Sequence, residues 1–203
     1  VRRLWVFGLL ALLGCESSAG SAVDQSSGDT AGSDGGSSDD SDDPCTDVVV
    51  DGGFELGPAS SAWTQGSQVF DTVICDASCV SGPATAHSGD HWVFFGGQAT
   101  ADSPFISQTV PIVGASATLA FFLQVDTNDQ SAFNDSLTVL VDDANMLTVD
   151  NTMEPDYAGY TLVELDVSEF ADNGTHLLSF DANFSGDAIT SFFIDDVELQ
   201  SCD

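Results

Sequence analysis

The chain predicts an all-β domain, an antiparallel β-sandwich of jelly-roll type, set behind a leader and a polar linker. Three observations carry this expectation. Apolar and polar residues alternate at period two in several C-terminal segments, no segment sustains a helical period, and the texture changes abruptly at Cys45. In Ala117–Val125 the odd positions Leu119, Phe121, Leu123 and Val125 are apolar. In Asp135–Asp142, Leu137, Val139 and Val141 alternate with Ser136, Thr138 and Leu140. Val163, Leu165 and Val167 alternate with Glu164, Asp166 and Ser168, and Leu178, Phe180 and Ala182 with Ser179 and Asp181. The run Ser191–Leu199 closes the series. Residues 45–203, about 160 in all, suit one domain with a sizeable core.

The leader is residues 1–14. Arg2 and Arg3 precede an apolar run from Leu4 to Leu13. That run is too short for a bilayer core, which needs roughly 20 residues, and fits a secretory signal. Leu12-Leu13-Gly14-Cys15 resembles the lipobox of bacterial lipoproteins. The resemblance implies that Cys15 is the first mature residue, carrying two or three acyl chains that make membrane attachment stable. Residues 15–44 are Ser, Gly, Asp and Ala with almost nothing apolar, and are expected to form a disordered acidic tether. A Gly/Ser-rich chain of that length has an end-to-end distance of roughly 30 Å. The expected location is the bacterial cell envelope, lipid-anchored, at the outer membrane or cell surface; Glu16 stands where inner-membrane retention typically has Asp.

Charge excludes whole classes of partner. The chain has 33 Asp plus Glu against two basic residues, and both of those, Arg2 and Arg3, lie in the leader. No basic surface remains to neutralise phosphates, so nucleic-acid binding is excluded. Anionic polysaccharides and acidic lipid surfaces are disfavoured as direct ligands for the same reason. Neutral sugars, cationic ligands and calcium remain open, and much of the charge serves solvation.

Four cysteines follow Cys15: Cys45, Cys75, Cys79 and Cys202. An even count in an exported domain predicts disulfides, with three possible connectivities. Cys45–Cys202 with Cys75–Cys79 is favoured, the first stapling the two ends of the domain and the second closing a small loop. A zinc site built from two of these cysteines with His87 and His91 is the competing reading.

Several blocks appear in a set order. Val50-Asp51-Gly52-Gly53-Phe54-Glu55 is followed by Trp63, then by His87-Ser88-Gly89 and Phe94-Phe95-Gly96-Gly97. Ile106–Val110 and Asp135–Asp142 come next, and Ser191-Phe192-Phe193-Ile194-Asp195-Asp196-Val197-Glu198-Leu199 comes last. Together they resemble the carbohydrate-binding-module and MAM-like (galactose-binding-like) jelly rolls of bacterial surface proteins, over nearly all of 47–203. The resemblance implies a structural calcium ion held by Glu55 and the Asp195/Asp196 pair, with Asp51 as a further candidate ligand. The residues agree in part. By strand parity Asp195 shares a face with Phe193, Val197 and Leu199, so its carboxylate points to the core unless a bulge reverses the parity. A buried carboxylate without Lys or Arg calls for a hard cation; bonding to backbone amides, or protonation, is the other remedy.

A neutral glycan needs aromatic faces with directed polar groups. Trp63, Trp92, Tyr157 and Tyr160 are the candidate rings, each with a core reading beside the ligand one. No Ser-His-Asp signature, His-Glu-x-x-His run or nucleophile elbow occurs. The expectation is therefore a lipid-anchored surface module binding a neutral polysaccharide or a surface protein. A purely structural or adhesive domain is the alternative, and a glycan-active enzyme is a distant third.

Overall fold

A computed structural model describes residues 45–79, 84–129 and 134–203; the leader, the tether and Cys15 lie outside the described residues. The described chain forms eleven strands: β1 Cys45–Asp47, β2 Thr64–Gly66, β3 Ile74–Asp76, β4 His91–Gly96, β5 Phe105–Ile112, β6 Ser116–Thr127, β7 Ser136–Val141, β8 Ala144–Asp150, β9 Thr161–Asp166, β10 Gly174–Asn183 and β11 Thr190–Cys202. Two short 3-10 turns, Asn151–Asp156 and Ser168–Phe170, are its helical elements. The strands make two antiparallel sheets. The first runs β3-β4-β11-β6-β9 with β1 also paired to β11, and the second runs β2-β5-β10-β7-β8. The predicted jelly-roll sandwich is what forms.

The alternation read from the sequence is the core itself. Leu119, Phe121, Leu123 and Val125 of β6 are buried against Leu137, Val139 and Val141 of β7 and Leu178, Phe180 and Ala182 of β10. The rings of Phe121 and Phe180 meet edge to face at 5.1 Å and tie the two sheets together. Burying one such ring contributes about 1.5–3 kcal/mol.

Two strands outside the five predicted runs escape a period-two reading for local reasons. In β4 both faces are apolar, because Val93 and Phe95 enter the core while Trp92 packs with Cys75 and Phe193 in a second, smaller cluster outside the first sheet. In the β7–β8 pair the register shifts between Val139 and Leu140, which breaks the alternation along β8.

The parity expected on the last strand fails at a bulge. Phe192 and Ile194 point to the core before it, and Val197 and Leu199 after it. Between them the register with β6 shifts from Asp195 to Glu198, and Asp196 adopts a φ of 48°. Asp195 therefore lies on Phe193's side of the strand, away from Val197 and Leu199, and is buried beneath the segment around His87 instead of in the main core.

Cys45–Cys202 and Cys75–Cys79 are the disulfides. The first joins register partners of β1 and β11 across 157 residues. In the chain-entropy model a loop of that size contributes roughly 4 kcal/mol or more. The pairing of Cys75 with Cys79 removes the thiolates that the zinc reading required.

Candidate functional site

Two features hold the chemistry. The first is the junction of the 51–60 loop, the 84–91 segment and the β11 bulge. Asp195 has no solvent exposure. Its Oδ2 accepts the amides of His87 at 2.7 Å and Ser88 at 3.2 Å, and its Oδ1 accepts its neighbour Asp196's amide at 2.8 Å. Burial pushes the Asp195 carboxyl up to about 6 against the downward pull of those amides, with the Asp196 charge adding to the rise. Asp196 Oδ2 lies 2.6 Å from His87 Nδ1, and its Oδ1 accepts the Ser88 hydroxyl at 2.6 Å. The His87 ring stacks on Phe122 at 3.6 Å and meets the edge of Tyr160. Glu55 Oε1 accepts the amides of Asp90 and His91 at 2.9 and 3.0 Å. Gly89 lies so close that a Cβ there would sit 2.2 Å from that oxygen.

These residues test the calcium expectation. Their donor chemistry is right for a hard cation: carboxylate oxygens in a domain without Lys or Arg. Glu55, Asp195 and Asp196 all converge on the 87–91 segment. Among the described residues, however, no group of three His, Cys, Asp or Glu side chains is assembled as a ligand set. Asp195 accepts three amides, and burial still raises its carboxyl, so both alternative remedies, amides and protonation, act there. Asp51 serves its own loop, with Oδ1 accepting the Leu56 amide at 3.1 Å and Oδ2 the Ser60 hydroxyl at 2.8 Å.

The second feature is a groove of about 290 Å³ on the outer face of the second sheet. Alternation builds it. As Ile106 and Val110 of β5 and Leu178 and Phe180 of β10 turn inward, Phe105, Ser107, Leu177, Ser179 and Asp181 face out. Register sets Asp181 opposite Phe105 and Ser179 opposite Ser107. Gly66 of β2 pairs with Phe105, and a Cβ at Gly66 would lie 2.7 Å from its ring, so this glycine makes room for it. Phe105 and Leu177 are 37% and 44% exposed. Burial raises the Asp181 carboxyl above its ordinary value, with the Ser179 hydroxyl opposing. Two further grooves, of about 210 and 220 Å³, flank Cys75–Cys79 and carry no assignment.

None of the four rings expected to meet a sugar lines the second-sheet groove. Trp63 and Trp92 are core residues, 4% and 5% exposed. Trp63 packs on Phe54 and donates its indole N–H to the Asp51 carbonyl at 2.9 Å. Tyr157 packs on the main core and Tyr160 on the outer cluster. The groove residues went unread in the sequence. The available signal was the outward set Phe105, Ser107, Thr109 and Pro111 at period two.

No family model matches the chain, and no curated protein matches it. Solved structures do. The carbohydrate-binding module TmCBM61, solved in complex with beta-1,4-galactotriose, superposes with a TM-score of 0.55 at 19% identity, covering 76% of this chain and 97% of that one. The K3 cleaved adhesin domain of Lys-gingipain from Porphyromonas gingivalis W83 gives a TM-score of 0.55 at 13% identity, covering 77% and 99%. The K1 adhesin domain of the same protein gives 0.53 at 13%, covering 74% and 96%.

The Asp195 environment makes a pH prediction. A carboxyl whose folded pKa is about 6, against an ordinary 3.8, favours the fold only while protonated. Its contribution is full below about pH 3.8 and is lost as pH rises through about 6. In excess chelator, Asp195→Asn is expected to remove a falling component of the unfolding free energy between those values, read by urea unfolding at several pH values. An unchanged slope in the variant contradicts it. At these identities the likeness to solved structures is one of fold, and the fold is the sandwich shared by carbohydrate-binding modules and adhesin domains.

Proposed function

We propose that the chain is a surface-displayed binding module that takes a neutral glycan in the groove on the outer face of its second sheet. The observation that carries this is the groove's composition. Exposed apolar Phe105 and Leu177 lie beside Ser107, Ser179 and Asp181. A pyranose presents C–H faces to the first kind of group and hydroxyls to the second. Asp181, with the chain's formal net charge of −31, repels an anionic polymer. The fold shared with a module solved with beta-1,4-galactotriose supports the reading and supplies the first probe.

Binding, not turnover, is the activity proposed. Glycoside hydrolysis uses a pair of carboxyl groups across the scissile bond, and among the described residues Asp181 is the one carboxylate lining this groove. Display is proposed to come from a lipid on Cys15 and the 15–44 tether, which would hold the domain clear of the membrane. Calcium is proposed at the Glu55–Asp196 side of the 87–91 segment. There, among the described residues, Glu55 Oε2 has His91 Nδ1, 3.5 Å away, as its one partner. Main-chain carbonyls and water would complete the six to eight oxygens such an ion takes.

Two measurements test this. On the full chain, β-1,4-galactan and a panel of neutral glycans are expected to retain wild type, and Phe105→Ala or Asp181→Asn to weaken retention about tenfold, near 1.4 kcal/mol, with unfolding midpoints unchanged. Absence of retention across the panel sinks the glycan reading and leaves the adhesive or structural one. Separately, millimolar calcium is expected to raise the midpoint of the full chain by several degrees over chelator, and Glu55→Gln to abolish the rise. A midpoint indifferent to calcium removes the metal from the account.

A further inference from the structure

His176 is buried on β10 with carboxylates at both ring nitrogens. Nδ1 lies 3.0 Å from Asp142 Oδ2, and Nε2 lies 3.1 Å from Asp172 Oδ1. Asp142 sits in the tight turn between β7 and β8 with a φ of 51°, and Asp172 lies in the turn leading into β10. The third neighbour, Phe170, meets the imidazole edge on and carries no charge. A neutral imidazole has one N–H and one lone pair, so one of its two contacts would set lone pair against lone pair. Only the imidazolium donates at both nitrogens.

Asp142 is engaged on its other side as well. Its Oδ1 accepts the Leu177 amide at 2.9 Å, and its own amide donates to the Leu177 carbonyl at 2.8 Å. Leu177 lines the groove. One carboxylate thus holds the histidine and the groove-edge residue together.

We propose that His176 is a pH-responsive positioning residue: its imidazolium clips Asp142 and Asp172 to β10 and so fixes the Leu177 edge of the groove, which loosens and releases ligand when the ring deprotonates. The clip stands on geometry alone; the release of ligand rests on the groove reading above. The hydrogen bond to Asp142, foremost, raises the His176 pKa above its ordinary 6.5, with burial opposing and Asp172 assisting. A raised histidine contributes stability that is full below about pH 6.5 and is lost as pH rises through the higher folded value. The Asp142 carboxyl is held below its ordinary 3.8, first by the Leu177 amide and then by His176. Its part of the clip is present above 3.8 and lost only as pH falls through that lower value. The clip is therefore closed below the ordinary histidine value of 6.5 and opens as pH rises through the higher folded one.

The test uses the full chain as wild type and His176→Gln, with hydrogen exchange at the Leu177 amide, corrected for base catalysis, between pH 6 and 9. Wild-type protection is expected to fall about tenfold across that range, and the variant to show low, flat protection. Equal pH responses in the two proteins, or none in wild type, overturn the clip. Should His176→Gln not fold, Asp172→Asn, which removes one carboxylate at an exposed position, is expected to move the wild-type response to lower pH; an unmoved response overturns the proposal. Retention on β-1,4-galactan, followed in parallel, is expected to fall severalfold over the same range. Retention that stays flat while Leu177 responds overturns the link to ligand release. Absence of retention at every pH, with the Leu177 response intact, supports the clip and overturns the groove reading.

Discussion

Between Cys45 and Asp203 there is no Lys or Arg, and the architecture of the loops depends on that constraint. A buried carboxylate here has no guanidinium or ammonium to meet, and leaving it bare costs several kcal/mol. The chain sets main-chain amides and hydroxyls against that cost. Asp102 takes the Ser67 hydroxyl and the amides of Gln68 and Ser103. Asp135 takes the amide and hydroxyl of Ser185, and Asp195 three amides. A hydrogen bond to a charged group contributes about 1.5–3 kcal/mol, so each acid pins a loop that has little apolar surface of its own. Each of the three histidines lies beside at least one carboxylate.

The strand β11 carries this pattern into the core. It pairs with β6 along one edge and with β4 and β1 along the other, and its last cysteine is stapled to the first described residue. The bulge at Asp195–Asp196 lets one strand serve two purposes. Its apolar residues keep to the core on both sides, while a pair of carboxylates is turned outward to receive the 87–91 segment.

The core was legible in the sequence because its signal is local. Leu119, Phe121, Leu123 and Val125 alternate within one strand, and Cys45 and Cys202 mark the ends of one domain. What failed to read depends on distant partners. Parity placed Asp195 with Val197 and Leu199, since a residue in the left-handed region leaves no trace in an Asp-Asp dipeptide. For Trp63 and Trp92 the sequence left a ligand reading beside the core one, because their covers, Phe54 for one and the Cys75–Phe193 cluster for the other, come from elsewhere in the chain. The groove was hidden for the same reason. Phe105 and Asp181 are ordinary surface residues until the β5–β10 register sets them opposite each other.

The two outer faces of the sandwich therefore differ in kind: one carries rings covered by its own chain, the other leaves Phe105 and Leu177 exposed among hydroxyls. That asymmetry is what supports the proposed site. Its most direct test is the amide spectrum of the isotopically labelled full chain titrated with a β-1,4-galactan oligosaccharide. The account predicts perturbations centred on Phe105, Ser107, Leu177, Ser179 and Asp181. Perturbations centred on the 84–91 segment, or a spectrum that does not change, would contradict it.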